Sequence, residues 1–69
     1  MSTSEEEVAA ARGELFRLLG VVPPKYGDWS YDASVRFKAA INAGKKIVMK
    51  KSATAHELWS AVNLLRGFY

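Results

Sequence analysis

Residues 45–51 read KKIVMKK, three apolar residues between two pairs of lysines. The segment either continues a preceding helix or forms a short strand. Isoleucine and valine favour a strand, and Gly44, just before the segment, is typical of a helix C-terminus. A continuous helix is favoured by residues that recur at alternating spacings of four and three: Ala33, Phe37, Ala40, Gly44 and Ile47. We therefore expect a helix over residues 31–43 that extends to about residue 51. A strand over residues 45–51 is the alternative, and it would have to pair with its own copy in a dimer.

A first helix is predicted over residues 4–19. Ser4 and Glu7 have the spacing of a capping box, and Gly20 stands where a C-terminal cap belongs. The core stripe of this helix consists of Val8, Ala11, Leu15, Leu18 and Leu19. A second, shallower face contains Ala9, Gly13 and Phe16. Gly13 either lets another backbone approach closely or is a tolerated surface glycine.

A third helix is predicted over residues 55–66, giving an all-α fold of three amphipathic helices in a single domain, residues 1–69. Thr54 and Glu57 form a second capping box at its start. Apolar side chains cover about half of its circumference: Ala55, Leu58, Trp59, Ala61, Val62, Leu65 and Tyr69. So wide an arc predicts contact with two neighbours, either two helices of the same subunit or one in a second subunit.

The composition predicts self-association. The chain has 69 residues and is 49% hydrophobic, which suffices for one domain with a small core. It contains no cysteine, so neither a disulfide nor a thiolate metal site can reinforce that core. Oligomerisation is the usual remaining aid, and we expect a helical homodimer. Its interface is expected on the third helix, at Trp59, Val62, Leu65 and Tyr69.

The segment between the first two helices is unusually aromatic for a loop. It contains two prolines, a glycine, and the side chains of Tyr26, Trp29 and Tyr31. The aromatic side chains either fold back as a lid over the core or form a patch for a partner, since tryptophan and tyrosine dominate interface hot spots.

Charge divides the chain into two parts. Residues 1–32 carry three basic and six acidic side chains, a net charge of −3, whereas residues 33–69 carry seven basic and one acidic side chain, a net charge of +6. Such a basic segment suits nucleic acid, an acidic protein surface or the acidic part of the same chain. We expect Lys45, Lys46, Lys50 and Lys51 to steer a partner toward the aromatic anchors.

A small basic DNA-binding regulator is the alternative function. Six cations occur without an intervening acid: Arg36, Lys38, Lys45, Lys46, Lys50 and Lys51. Phosphate contacts from such a run would give salt-sensitive, sequence-independent affinity. Residues 52–54 also have the length of the turn in a helix-turn-helix. The third helix, however, lacks arginine and lysine near its N-terminus, where a recognition helix meets DNA.

The sequence carries no catalytic or metal-binding signature. His56 is its single histidine and falls on the polar side of the third helix, where it is most simply solvated. Glycine spacings typical of phosphate or dinucleotide binding do not occur. We expect neither enzymatic activity nor a cofactor or metal.

The N-terminus is acidic and polar, unlike a secretory signal, and no apolar run approaches the roughly 18 residues that cross a bilayer. These features favour a cytoplasmic protein without a membrane contact.

In length and composition the chain resembles small phage-encoded proteins that disable host functions. It is most similar to the quorum-sensing anti-activator of Mu-like phages, on the segments EEEVAAARGELFRLLG and ATAHELWSAVNLLRGFY. The resemblance implies a helical dimer that binds a host protein, for example a LuxR-type transcriptional regulator. It implies no individual functional residue. Together with the residue patterns, it predicts a non-enzymatic inhibitor that binds another protein.

Overall fold

Three helices make up most of the chain. The structure is a computed structural model, which describes residues 3–24 and 26–69, with the side chains of Thr3 and Ser4 excepted. The elements are α1 (Thr3–Leu19), a 3-10 turn (Tyr26–Asp28), α2 (Tyr31–Met49) and α3 (Ala55–Arg66). No strand occurs in the described residues, so the predicted all-α class is confirmed. The predicted cap at Ser4 involves a side chain outside the described part.

The long form of α2 is confirmed, and residues 45–49 are helical rather than extended. Ser30 caps its N-terminus, since its Oγ accepts a hydrogen bond from Ala33 N at 3.2 Å. The helix passes through Gly44, which is buried among leucines, and ends at Met49. Lys50 is its C-cap and has an extended backbone. Gly44 is therefore a packing residue rather than a helix terminator.

The capping box of α3 is present as predicted. Glu57 N donates to Thr54 Oγ1 at 3.1 Å, and Thr54 N donates to Glu57 Oε1 at 3.0 Å. These reciprocal bonds satisfy backbone donors that a helix N-terminus leaves open. The pKa of Glu57 is lowered. The largest cause is the hydrogen bond from the Thr54 backbone, and the second is the hydrogen bond from the Lys50 ammonium.

The chain runs up, down and up through the bundle. Arg12 reaches the C-terminal end of α2 at Val48, whereas Leu19 lies against Gly44, so α1 and α2 are antiparallel. Glu14 binds Arg66, and the Leu18 carbonyl accepts a bond from Tyr69, so α1 and α3 are parallel. Each helix contacts the other two. The wide apolar arc of α3 is therefore explained by two neighbours within the chain.

The core lies where the three helices meet. Its largest fully buried side chains are Leu15, Leu58, Val62 and Leu65. Burying a leucine or valine in this way stabilises the fold by about 1.5–3 kcal/mol each. Val62 and Leu65 were expected at a dimer interface, but both are 0% exposed in the single chain. That expectation is corrected for these two residues, because α1 and α2 already cover them.

Aromatic rings close the end of the bundle that holds the C-terminus. Trp29 lies with its ring centroid 5.2 Å from that of Phe37 and 5.7 Å from that of Phe68. Tyr26 lies 5.2 Å from Trp29 and 5.6 Å from Phe37. These four residues are the aromatic cluster, and its edge-on and tilted contacts are those that aromatic pairs favour.

Tyr69 ties the last residue of the chain to the end of α1. Its hydroxyl lies 2.5 Å from the carbonyl oxygen of Leu18 and 2.6 Å from that of Val21, so its single proton is shared between these two acceptors. Burial raises the pKa of the Tyr69 hydroxyl above its usual 10.0.

Trp59 and Tyr69, the other two residues expected at the dimer interface, are both half-buried. The Arg66 guanidinium lies 5.9 Å from the ring centroid of Trp59.

Candidate protein-binding surfaces

One side of α2 is fully open to solvent. Its members recur every three or four residues and are all exposed: Tyr31, Val35, Lys38, Asn42, Lys45, Lys46 and Met49. We refer to this set as the outer face of α2. The opposite side of the helix carries Phe37, Ala40 and Gly44 and is buried. The position of each outer-face residue therefore follows from the orientation that the core imposes on α2.

Apolar side chains are concentrated on this face. Tyr31 is 83% exposed, Val35 46% and Met49 80%. They account for three of the seven large apolar side chains that stand exposed in the described part of the chain. Single exposed apolar residues are ordinary, but several on one helix face indicate a surface that contacts another molecule.

The same face is basic. Lys45 and Lys46 lie one helical turn before Met49, and Lys38 lies between Tyr31 and Lys45. The α-helical rise places Tyr31 and Lys45 about 21 Å apart. The face thus presents apolar groups at both ends and ammonium groups between them, an arrangement that suits an acidic surface with apolar recesses.

The predicted partner-binding residues do not all lie together. Tyr31, Lys45 and Lys46 share the outer face of α2, whereas Tyr26 and Trp29 are half-buried in the aromatic cluster. Lys50 follows α2 and binds Glu57 Oε2 at 3.2 Å. Lys51 lies at a separate groove beside α1.

That groove, which we term the α1 groove, is a shallow apolar depression of about 710 Å³. It is lined from α1 by Glu5, Val8, Ala9, Arg12, Gly13 and Phe16, and from the α2–α3 connection by Lys51, Ser52 and Ala53. Phe16 is 71% exposed, and the space beside the Gly13 Cα is open, with nothing within 4 Å. The second face of α1 that the sequence indicated is thus one wall of this groove.

Arg12 forms the base of the α1 groove and was not identified from the sequence. Its Nη1 donates to the Val48 carbonyl, and its Nη2 donates to the Lys50 carbonyl at 3.1 Å. Val48 belongs to the last turn of α2, where helix carbonyls lack partners within the helix, and Lys50 is the C-cap residue. The Lys50 carbonyl also accepts a bond from Ala53 N at 3.2 Å. The guanidinium therefore caps α2 from another helix. No local pattern signals such a bond, because 36 residues separate Arg12 from Val48.

Glu14 is the centre of the charge network between α1 and α3. Its carboxylate accepts from Arg17 at 2.7 and 3.1 Å and from Arg66 at 3.0 Å. Hydrogen bonds from Arg17, and then from Arg66, hold the pKa of Glu14 at about 2, below its usual 4.5. The Arg66 bond joins the two helices directly.

The outer face of α2 carries no histidine or acidic side chain, and the lining of the α1 groove includes one, Glu5. His56 is exposed on α3, as the sequence indicated. Across residues 3–24 and 26–69, histidine and acidic side chains form no group of three able to hold a metal ion.

Within residues 3–24 and 26–69, no helix combines the length and apolar character needed to cross a bilayer.

The fold and its two surfaces define a small three-helix bundle with a basic and apolar outer face. Comparison of the chain with protein-family models, with curated proteins and with solved structures finds no match.

Proposed function

We propose that the protein is a non-enzymatic inhibitor that binds another protein through the outer face of α2. The observation that carries this proposal is the coincidence of Tyr31, Val35 and Met49 with Lys38, Lys45 and Lys46 on one exposed helix face. The fold leaves these three apolar side chains of α2 in water. Contact with a partner would recover the cost of exposing them.

The physical roles within this face differ. Tyr31 and Met49 have enough apolar surface to act as anchors in recesses of a partner. The lysines accelerate encounter with an acidic surface. Reversing one of these charges places like charges against each other, which weakens the complex itself. A 19-residue helix is about 28 Å long, which is sufficient for one side of a standard interface.

Inhibition is the activity that suits a chain of this size. A small domain without a catalytic site acts by covering a surface that its target needs. The resemblance to anti-activators of Mu-like phages makes a bacterial host regulator, for example of the LuxR type, the first partner to test. Such an encounter would take place in the host cytoplasm.

A DNA-binding regulator is the second candidate, and the lysines of α2 favour it. The arrangement of α2 and α3 favours it less. The two helices share a groove that extends from Ile47 and Glu57 to Ala40 and Leu64, as in an antiparallel hairpin. A helix-turn-helix instead crosses its helices steeply to project the second into the major groove.

Capture from a nuclease-treated bacterial lysate tests the proposal. The immobilised protein is expected to retain one or a few specific proteins, and Lys45→Glu is expected to lose them. Arg36→Glu is the matched control, because Arg36 is exposed on the same helix away from the outer face and the charge change is identical. Equal capture by both variants and the wild type would contradict the proposed face.

A gel-shift titration with random duplex DNA at two salt concentrations tests the second candidate. Tight binding that weakens steeply with salt would favour a DNA-binding regulator over a protein inhibitor. The protein-binding proposal instead expects no shift at micromolar protein in either salt.

A further inference from the structure

The α1 groove fits a second copy of this chain. We propose that two copies associate through α1, with the two helices antiparallel and Phe16 of each copy seated in the groove of the other, over Ala9. This goes beyond the proposed function, since no residue of the outer face of α2 lines the α1 groove.

The groove is self-complementary in shape. It has a bulky side chain, Phe16, at one end and the small side chains of Ala9 and Ala53 at the other. Ala9 and Phe16 are about two helical turns apart, or roughly 10 Å, on the same face of α1. A two-fold axis requires that each contact occur twice, once from each copy. Antiparallel pairing about Arg12 and Gly13 does this, because it places each Phe16 over the Ala9 of the other copy.

Gly13 allows the two helices to approach closely near that axis. A Cβ atom at this position would meet nothing within 4 Å, so the backbone of α1 is open to the solvent there. Small residues at a helix crossing shorten the distance between axes and increase the contact of the flanking side chains.

Charges along α1 favour the antiparallel orientation. Glu6 and Arg17 are both exposed and are separated by about three turns, so they lie on the same flank of the helix. Antiparallel pairing brings Glu6 of one copy close to Arg17 of the other, twice. Parallel pairing about a two-fold axis places the two flanks on opposite sides of the interface, so neither ion pair forms. Arg12, which lies near the axis, directs its guanidinium onto the carbonyls of Val48 and Lys50.

Sedimentation equilibrium from micromolar to millimolar protein is the first test. The wild type is expected to pass from monomer to dimer. Phe16→Glu is expected to raise the dissociation constant by ~100-fold or more, the loss expected when two phenyl groups, one from each copy, are no longer buried. Leu64→Glu is the matched control, because Leu64 is also exposed but lies outside the α1 groove.

Circular dichroism should confirm that both variants keep their helices. A wild type that stays monomeric at millimolar concentration, or a folded Phe16→Glu variant with an unchanged dissociation constant, would overturn the proposal.

Disulfide crosslinking tests the register. The natural chain has no cysteine, so any covalent dimer must form through an introduced one. Gly13→Cys is expected to crosslink on mild oxidation, since its two copies lie next to the axis. Ala9→Cys is expected not to crosslink, because its copies are separated by roughly 10 Å, beyond the reach of about 7 Å between Cα atoms. Ala10→Cys, exposed on the flank away from the groove, is the control. Crosslinking of Ala9→Cys or Ala10→Cys as fast as Gly13→Cys would overturn the antiparallel arrangement.

Discussion

At the scale of single residues, two helical glycines have opposite surroundings. Gly44 is buried, and a Cβ atom there would lie 3.3 Å from Leu19 Cδ2 and 3.4 Å from Leu15 Cδ1. Gly13 has open space around it. Each of them had more than one interpretation before the structure, because a glycine in a helical pattern has no side chain to indicate whether its surroundings are crowded or empty.

Replacing each glycine by alanine should separate the two cases. Alanine is favoured over glycine in a helix by about 1 kcal/mol, so Gly13→Ala should raise the free energy of unfolding by about that amount. Gly44→Ala should lower it by about 1 kcal/mol, because overpacking against the fully buried Leu15 outweighs the gain in propensity.

Urea unfolding of both variants, at a concentration where the chain is monomeric, measures the difference. Equal stabilisation by the two substitutions would show that the leucines around Gly44 move aside without cost.

At the scale of helices, local sequence patterns predicted where each helix begins and ends. They did not predict the contacts between residues that are distant in the sequence. The bounds of α3 followed from the box of Thr54 and Glu57 and from the periodicity after it. The length of α2 followed from its four-three spacing. The contacts of Arg12 with Val48, of Glu14 with Arg66 and of Tyr69 with Leu18 join residues at least 36 positions apart. They depend on how the helices are arranged, which periodicity leaves open.

The cap that Arg12 provides should stabilise the last turn of α2. Arg12→Met keeps much of the aliphatic stem but removes both hydrogen bonds, so a loss of about 1.5–3 kcal/mol in the free energy of unfolding is expected. Hydrogen exchange should show the loss of protection concentrated in residues 46–49.

Arg17→Met is the comparison, since Arg17 binds Glu14 on its own helix and is largely exposed. It should leave exchange in residues 46–49 unchanged. Uniform loss of protection along all three helices in Arg12→Met would contradict a local capping role.

The ion pairs of Glu14 should make stability depend on acid. Because the pKa of Glu14 is lowered from 4.5 to about 2 in the folded chain, its contribution is complete above pH 4.5 and is lost as the pH falls toward 2. Glu14→Gln cannot titrate, so its unfolding free energy should fall less steeply over this window.

Chemical denaturation at several pH values between 2 and 5 measures both slopes. Identical slopes for the wild type and Glu14→Gln would show that Arg17 and Arg66 do not hold the Glu14 proton affinity down in solution.

At the scale of the whole molecule, the fold has more surface than a sphere of the same mass. Its radius of gyration is 12.8 Å, whereas about 11 Å is typical of a chain of this length. The elongated bundle gives a thin core and long exposed helix faces.

The aromatic residues between α1 and the start of α2 illustrate why composition alone could not predict which side chains are exposed. Tyr26 and Trp29 turn inward onto Phe37, whereas Tyr31, at the start of α2, points into solvent.

Trp29 packs within the aromatic cluster and stabilises the fold, whereas we propose that Tyr31, two residues later, contacts a partner. The most direct test is lysate capture by Tyr31→Ala, with thermal unfolding recorded on the same sample and on Trp29→Ala. Tyr31→Ala should unfold within a few degrees of the wild type and lose the captured protein. Trp29→Ala should be destabilised by about 2–4 kcal/mol through the loss of its aromatic contacts. Undiminished capture by Tyr31→Ala, or loss of capture by a Trp29→Ala variant of unchanged stability, would contradict the claim.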